Sequence, residues 1–291
     1  MKPIQGLREI EAEYDGFIFD VWGTLYDGGA LYPDALEVLR QLKNSGKKSV
    51  ILSNAPRRAT TVVGRLERLN VPSELYQGVV TSGELTFQKL VSKTDEAFQS
   101  LGERCFVIGG EAYQELLEGT GFRQVATVGD ADWVLAAGPF AATDQLEAYE
   151  ALLAEMRQRD LAMICANPDL AVISGGQRNI CAGLIAERYQ VLGGNVTFVG
   201  KPWADVFIES CRLFGLAPSA RVLMVGDNMA TDITGAAKSG LHALLLKKGI
   251  HRAELGAEGD SGKGAGAGDR LSALMSRYSA TPTYVAAELR W

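Results

Sequence analysis

Gly16-Phe17-Ile18-Phe19-Asp20-Val21-Trp22-Gly23-Thr24-Leu25-Tyr26-Asp27-Gly28 is the stretch that decides how the chain is read. An uncharged, mostly apolar run ends in an aspartate, and a glycine and a threonine follow at once. Such a run, bounded by turn residues, is the pattern of a strand covered on both faces, as the strands of a parallel sheet are. The pattern recurs at residues 49–52, 104–108, 133–137, 161–165, 221–225 and 242–246. Helical periodicity fills most of the intervals and is clearest over residues 34–45 and 57–70. The alternation predicts βαβ units and an α/β fold with a parallel sheet. Residues 281–291 are expected to add a last edge strand.

In such sheets ligands gather beyond the carboxyl ends of the strands, where helix N-termini offer unpaired N–H groups. The polar residues that follow each strand are therefore the candidates: Asp20, then Ser53 and Asn54, then Asp227 and Asn228. Each taken alone has a plainer explanation, since Asp20 and Asp227 would also serve as helix caps and Ser53-Asn54 as a turn.

The 291 residues are 47% hydrophobic, enough for a sizeable core and a length that suggests two domains. A net charge of -6 leaves no general basic field for a nucleic acid or an anionic membrane. No apolar run is long enough to span a bilayer, and residues 1–13 carry charges where a signal peptide needs an apolar centre, so a cytoplasmic location is expected. Cys105, Cys165, Cys181 and Cys211 are scattered and read as buried thiols, and two histidines, His242 and His251, are too few for a zinc cluster. The Gly- and Ala-rich residues 256–269 contain a GKGAGAG run that no strand precedes, and they read as a loop rather than a dinucleotide site.

The segment from Phe17 to Gly28 resembles the first motif of the haloacid dehalogenase superfamily, hhhDxDGTL. Leu52-Ser53-Asn54 is similar to the second motif, Lys201-Pro202 to the third, and Val225-Gly226-Asp227-Asn228 through Thr231-Asp232 to the fourth. All four occur in order, which favours a site over isolated caps and turns. The resemblance implies a Rossmann-like core and hydrolysis of a small phosphorylated metabolite. Asp20 would be the covalent nucleophile, with Lys201 against it. Mg2+ would be held by Asp20, the Trp22 carbonyl and Asp227, and Asp232 and Asn228 would support that site. Ser53, Asn54, Trp22 and Lys201 would contact the phosphate or substrate.

Asp20 and Ser53 are 33 positions apart, room for a hairpin flap and one helix, whereas Ser53 and Lys201 are 148 apart. A second α/β unit must lie in the longer interval. This arrangement resembles class IIA of the superfamily, the branch of nitrophenyl, nucleotide and sugar phosphatases, and Asn167-Pro168-Asp169 fits it. The expected division is a core of residues 1–84 and 196–291 with an inserted cap at 85–195. Asn167, Asp169 and Arg178, beside the Gly175-Gly176 turn and a helix expected over 177–189, are the cap's candidate substrate contacts. The resemblance leaves a cap-mediated homodimer open.

One position departs from the pattern. Phosphatases of the superfamily carry a second aspartate two residues after the nucleophile, where it serves as general acid and base, and this chain has Trp22. Indole does neither job, and the loss of such assistance is typically about 10²- to 10⁴-fold. Asp27 is the nearest replacement in sequence. An aromatic residue here is also a feature of the haloacid dehalogenases themselves, but their cap occupies the first interval, which has no room here, and they do not need the metal site that Asp227 implies. The alternative from another class is a sensor or regulatory protein that binds a phosphorylated ligand with little turnover.

Overall fold

The computed structural model describes residues 1–174, 177–215, 221–256 and 267–291, so the Gly175-Gly176 turn and most of the Gly- and Ala-rich loop lie outside the described residues. The strands are β1 (Lys2–Pro3), β2 (Gly16–Phe19), β3 (Lys48–Ser53), β4 (Val79–Thr81), β5 (Arg104–Ile108), β6 (Arg123–Gln124), β7 (Trp133–Ala136), β8 (Ala162–Cys165), β9 (Ala171–Ser174), β10 (Gln177–Ile180), β11 (Val196–Phe198), β12 (Val222–Gly226), β13 (His242–Leu246) and β14 (Tyr284–Ala286). Close packing divides the chain into two units, residues 1–53, 63–80 and 201–291 in the first and residues 54–62 and 81–200 in the second.

In the first unit seven strands run in the order β1-β14-β13-β12-β2-β3-β4. β2 lies between β12 and β3, parallel to both. Its four residues are all buried, which is why the run in the sequence is unbroken by charge. Phe17 and Phe19 stack on one face with ring centroids 6.4 Å apart. Gly16 begins the strand where any side chain would press on the Phe214 ring, at the end of the helix Ala204–Phe214. The helix expected at 34–45 forms as Ala35–Asn44, and the one expected at 57–70 as Ala59–Arg68. The C-terminal strand β14 is present but is not the edge: β1 pairs on its outer side, Lys2 opposite Tyr284.

The second unit has a five-stranded sheet in the order β11-β8-β7-β5-β6, with every pairing parallel. β7 supplies both faces of its core. Val134 and Ala136 pack with Tyr149, Leu153 and Tyr189, while Trp133 and Leu135 pack with Leu90, Phe98 and Ile164. The helix expected over 177–189 is corrected. Residues 177–180 are β10, paired antiparallel with β9, and the helix is Ala182–Val191. The hairpin satisfies these residues' backbone groups before the helix begins.

Residues 54–62 are pinned within the second unit by two glutamates. Glu115 accepts from Arg57 Nε at 2.6 Å, the Arg58 N–H at 3.0 Å and Thr61 Oγ1 at 2.8 Å. Glu84 accepts from Arg58 Nε at 2.8 Å and the Ala59 N–H at 3.1 Å. Burial pushes the Glu115 carboxyl up, but the bonds from Arg57, Thr61 and Arg58 outweigh it and hold the carboxyl below the usual glutamate range. A group depressed in the folded state stabilises above its unfolded pKa and loses that contribution as pH falls through the folded one. Glu115→Gln is therefore expected to lower stability at pH 7 by about 1–2 kcal/mol. In thermal melts at a series of pH values, the gap to wild type should close on acidification below the ordinary glutamate pKa; a gap independent of pH would contradict this account.

Candidate active site

The adjacency of β2 and β12 brings two aspartates together. Phe19 is in register with Val225, and the Asp20 N–H donates to the Val225 carbonyl at 3.0 Å, so Asp20 and Asp227 leave neighbouring strand ends. Asp232 follows on the helical turn Met229–Ile233. Asp20, Asp227 and Asp232 are all buried, and one carboxylate oxygen of each lies within 4.8 Å of the others.

Lys201 enters this cluster. Its Nζ donates to Asp20 Oδ1 at 2.5 Å and to Asp232 Oδ1 at 2.6 Å, with the lysine side chain 3% exposed. The second oxygen of Asp232 accepts the Asn228 N–H at 3.0 Å, and the Asn228 side chain accepts from the Ala230 N–H at 2.9 Å, capping the turn. Asp232 thus positions Lys201 and the backbone of residue 228 together.

Asp227 is fitted by backbone. The Ile250 N–H donates to its Oδ2 at 2.6 Å, and a side chain at Gly23 or Gly249 would collide with the carboxylate. Gly23 also has φ +80°, a conformation that glycine adopts freely. Burial, then the charges of Asp20 and Asp232, push the Asp227 carboxyl well above the usual range. Three carboxylates against the Lys201 ammonium leave a buried surplus of negative charge, and oxygen donors in that number suit a hard divalent cation. The donor set therefore fits the metal that the motifs imply.

His251 is buried and its Nε2 accepts the Met229 N–H at 3.1 Å, which steadies the turn after Asp227. Neither this contact nor the clamp of Gly249 and Ile250 has a signal in the sequence, because both depend on the path of a distant loop.

Ser53 is buried at the end of β3. Trp22 and Lys201 are likewise in the first unit, whereas Asn54, Asn167, Asp169 and Arg178 fall in the second. Asn54 Nδ2 donates to Asp169 Oδ1 at 2.9 Å, and Asn167 Oδ1 accepts the Asp169 N–H at 3.1 Å. Arg178 is exposed on β10. Asp27 sits in an exposed turn, accepting the N–H groups of Gly29 and Ala30 at 2.8 Å each, and those bonds hold its carboxyl below the usual range. A carboxyl so held is ionised at neutral pH and has no proton to give.

The Trp22 indole lies edge-on to Tyr26, with ring centroids 5.1 Å apart. The Arg65 guanidinium stands over both rings, 4.9 Å from the Trp22 centroid and 4.7 Å from that of Tyr26, and its Nη2 donates to the Tyr26 hydroxyl at 2.7 Å.

Fold and site together define a Rossmann-like α/β protein with an acidic centre at the carboxyl edge of its parallel sheet. The profile of the haloacid dehalogenase-like hydrolases matches residues 17–123, and a second profile described as HAD-hydrolase-like matches residues 198–290, together more than half of the chain. The chain belongs to this family of hydrolases. It is 29% identical to chronophin of Rattus norvegicus over 258 residues, 85% of this chain and 81% of the relative. It is 28% identical to the 5'-nucleotidase YutF of Bacillus subtilis (strain 168), over 83% of this chain and 90% of that one. The crystal structure of a haloacid dehalogenase-like family hydrolase from Brucella suis 1330 superposes with a TM-score of 0.83 at 28% identity, covering 98% of this chain and 99% of that one.

Removing the lysine would leave Asp20 and Asp232 buried without their shared cation. Lys201→Met is expected to lower stability by about 3–5 kcal/mol, the usual cost of breaking a buried ion pair by removing one partner. Urea unfolding at pH 7 reads this directly, and a loss under about 1 kcal/mol would show that the ammonium is not the charge that holds the cluster.

Proposed function

We propose that the protein is a magnesium-dependent phosphatase of small phosphorylated metabolites, working through an aspartyl-phosphate on Asp20. The observation that carries this reading is the buried Lys201 bridge between Asp20 and Asp232, with Asp227 in the same cluster. An ammonium at 2.5 Å holds the Asp20 carboxylate in a fixed direction, as a nucleophile needs, and it remains near any oxyanion that approaches that carboxylate. Mg2+ bound by Asp20, the Trp22 carbonyl and Asp227 would supply the positive charge that lets a phosphate dianion approach a carboxylate.

The remaining roles belong to the chain's own groups. The Ser53 hydroxyl and neighbouring backbone N–H groups bind phosphate oxygens, with Asn54 as a further contact. Lys201 offsets the charge on the transferring oxygens, and Asp232 and Asn228 position Lys201 and the turn after β12. The second unit is read as the cap, contributing Asn167, Asp169 and Arg178 to substrate selection. That one similar protein is named a 5'-nucleotidase supports a phosphate ester as substrate. Among the described residues no helix is long and apolar enough to cross a membrane.

One observation favours a second reading, a phospho-ligand sensor with little turnover. Trp22 stands where a proton donor is expected and is held by Arg65 and Tyr26. Phosphate release from a panel of phosphorylated metabolites and an activated aryl phosphate, with and without magnesium, separates the two. The expected result is magnesium-dependent release that falls at least about 10³-fold in Asp20→Asn, as for loss of a covalent nucleophile. Binding of phosphate esters with no release from any compound would replace the phosphatase by the sensor.

A further inference from the structure

The stack over Trp22 addresses the substrate class, and the argument rests on the phosphatase reading above. Arg57, Arg58, Arg104 and Arg188 each pair with a carboxylate. Arg65 is half-buried and pairs with no carboxylate among the described residues. Its partners are the faces of Trp22 and Tyr26 and the Tyr26 hydroxyl. The Tyr26 hydroxyl in turn donates to the Gly28 carbonyl, and the Gly23 N–H donates to the Tyr26 carbonyl at 2.9 Å, so the platform under the guanidinium is tied at both ends. Four of the five guanidinium N–H donors are left for something else. The platform also borders the acid cluster, since Trp22 follows Asp20 by two residues and Gly23 lies against the Asp227 carboxylate.

A cation fixed over the loop that follows the nucleophile, whose indole has no proton to give and whose Asp27 is held as the carboxylate, suits one kind of departing group. We propose that Arg65 receives the leaving group as an anion, and that the substrates are therefore phosphates of acidic leaving groups, namely acyl or aryl phosphates. The Asp20 carboxylate forms the new O–P bond as the bond from phosphorus to the leaving oxygen breaks. The electron pair stays on that oxygen, which departs as a carboxylate or phenolate against the guanidinium, and no proton is transferred. Water then attacks the phosphorus of the aspartyl-phosphate, returning the Asp20 carboxylate and releasing phosphate and a proton to solvent. A guanidinium is suited to this role because it donates hydrogen bonds in a planar fork and keeps its charge.

The test is a series of aryl phosphates whose phenols span a wide range of acidity, with kcat/KM measured for wild type, Arg65→Met and Arg65→Lys. If Arg65 carries the leaving-group charge, Arg65→Met should lose about 10²-fold on the esters of the least acidic phenols, the scale of one lost oxyanion donor. The loss should be several-fold smaller on the most activated esters, so the dependence on leaving-group acidity steepens, and Arg65→Lys should restore much of the shallower slope. Arg65→Gln repeats the comparison if circular dichroism shows that Arg65→Met does not fold. An equal loss across the series would mean that Arg65 only packs Trp22, overturning this inference and leaving the phosphatase reading intact. A wild type that releases phosphate from no ester overturns the phosphatase reading, and the inference falls with it.

Discussion

The Lys201 ammonium, shared between Asp20 and Asp232 in the interior, is the interaction on which the rest of the first unit depends. Three carboxylates within 4.8 Å of one another repel, and burial removes the water that would screen them. Lys201 is 181 residues from Asp20 and 31 from Asp232 in sequence, so a single side chain ties the end of β2, the entrance of the helix Ala204–Phe214 and the turn after β12. Buried ion pairs commonly add little net stability compared with an apolar alternative, because desolvation offsets most of the attraction. Their retention here is better understood through chemistry. The arrangement directs Asp20 and crowds Asp227 with neighbouring negative charge that a cation can relieve.

Backbone geometry follows from that requirement. Two strand-end aspartates reach one site only if β2 and β12 are neighbours with the same direction, and a parallel sheet supplies both conditions. The carboxylates then need room, which Gly23 and Gly249 provide for Asp227, where any side chain would overlap its oxygens. The raised proton affinity of Asp227 is the electrostatic counterpart of this crowding: burial contributes most, and the fixed charges of Asp20 and Asp232 contribute next. His251 and Ile250 act beside it, where a buried ring nitrogen holds the Met229 amide and the Ile250 amide holds the aspartate's own carboxylate.

What the amino-acid sequence discloses and what it conceals divide along physical lines. β2, β5 and β13 are legible because the covered stretches of such strands are apolar, throughout in β2 and after the first residue in β5 and β13, and the aspartates at strand ends stand out against that background. The order of Asp20, Ser53, Lys201 and Asp227 carries the family, and the family carries the fold. Short-range patterns fail where tertiary pairing decides. Residues 177–180 have no strong strand character and become β10 only because β9 lies alongside. The C-terminal strand reads as an edge until Lys2–Pro3, two residues without any strand pattern, pairs outside it. Arg65 is invisible for the same reason. Nothing in the run from Ala59 to Arg68 marks one arginine as stacked on a tryptophan more than forty positions earlier.

Trp22, at the position where the motif resemblance leads one to expect a carboxyl, is better treated through what surrounds it than as the loss of one residue. An indole free to move could give way to water or to a substrate group carrying its own proton. This one is held edge-on by Tyr26 and from above by Arg65, and Tyr26 is itself 5% exposed and bonded through its hydroxyl. A second conformer of the indole would break several of those contacts together. Asp27, the nearest carboxylate in sequence, is committed to the amides of Gly29 and Ala30. Residues 20–28 thus present apolar surface and no proton, and the positive charge beside them comes from Arg65. If the proposed phosphatase reading holds, that combination favours leaving groups already stable as anions and disfavours alkoxides, so the barrier to each substrate should follow the acidity of what leaves more closely than the shape of what is bound.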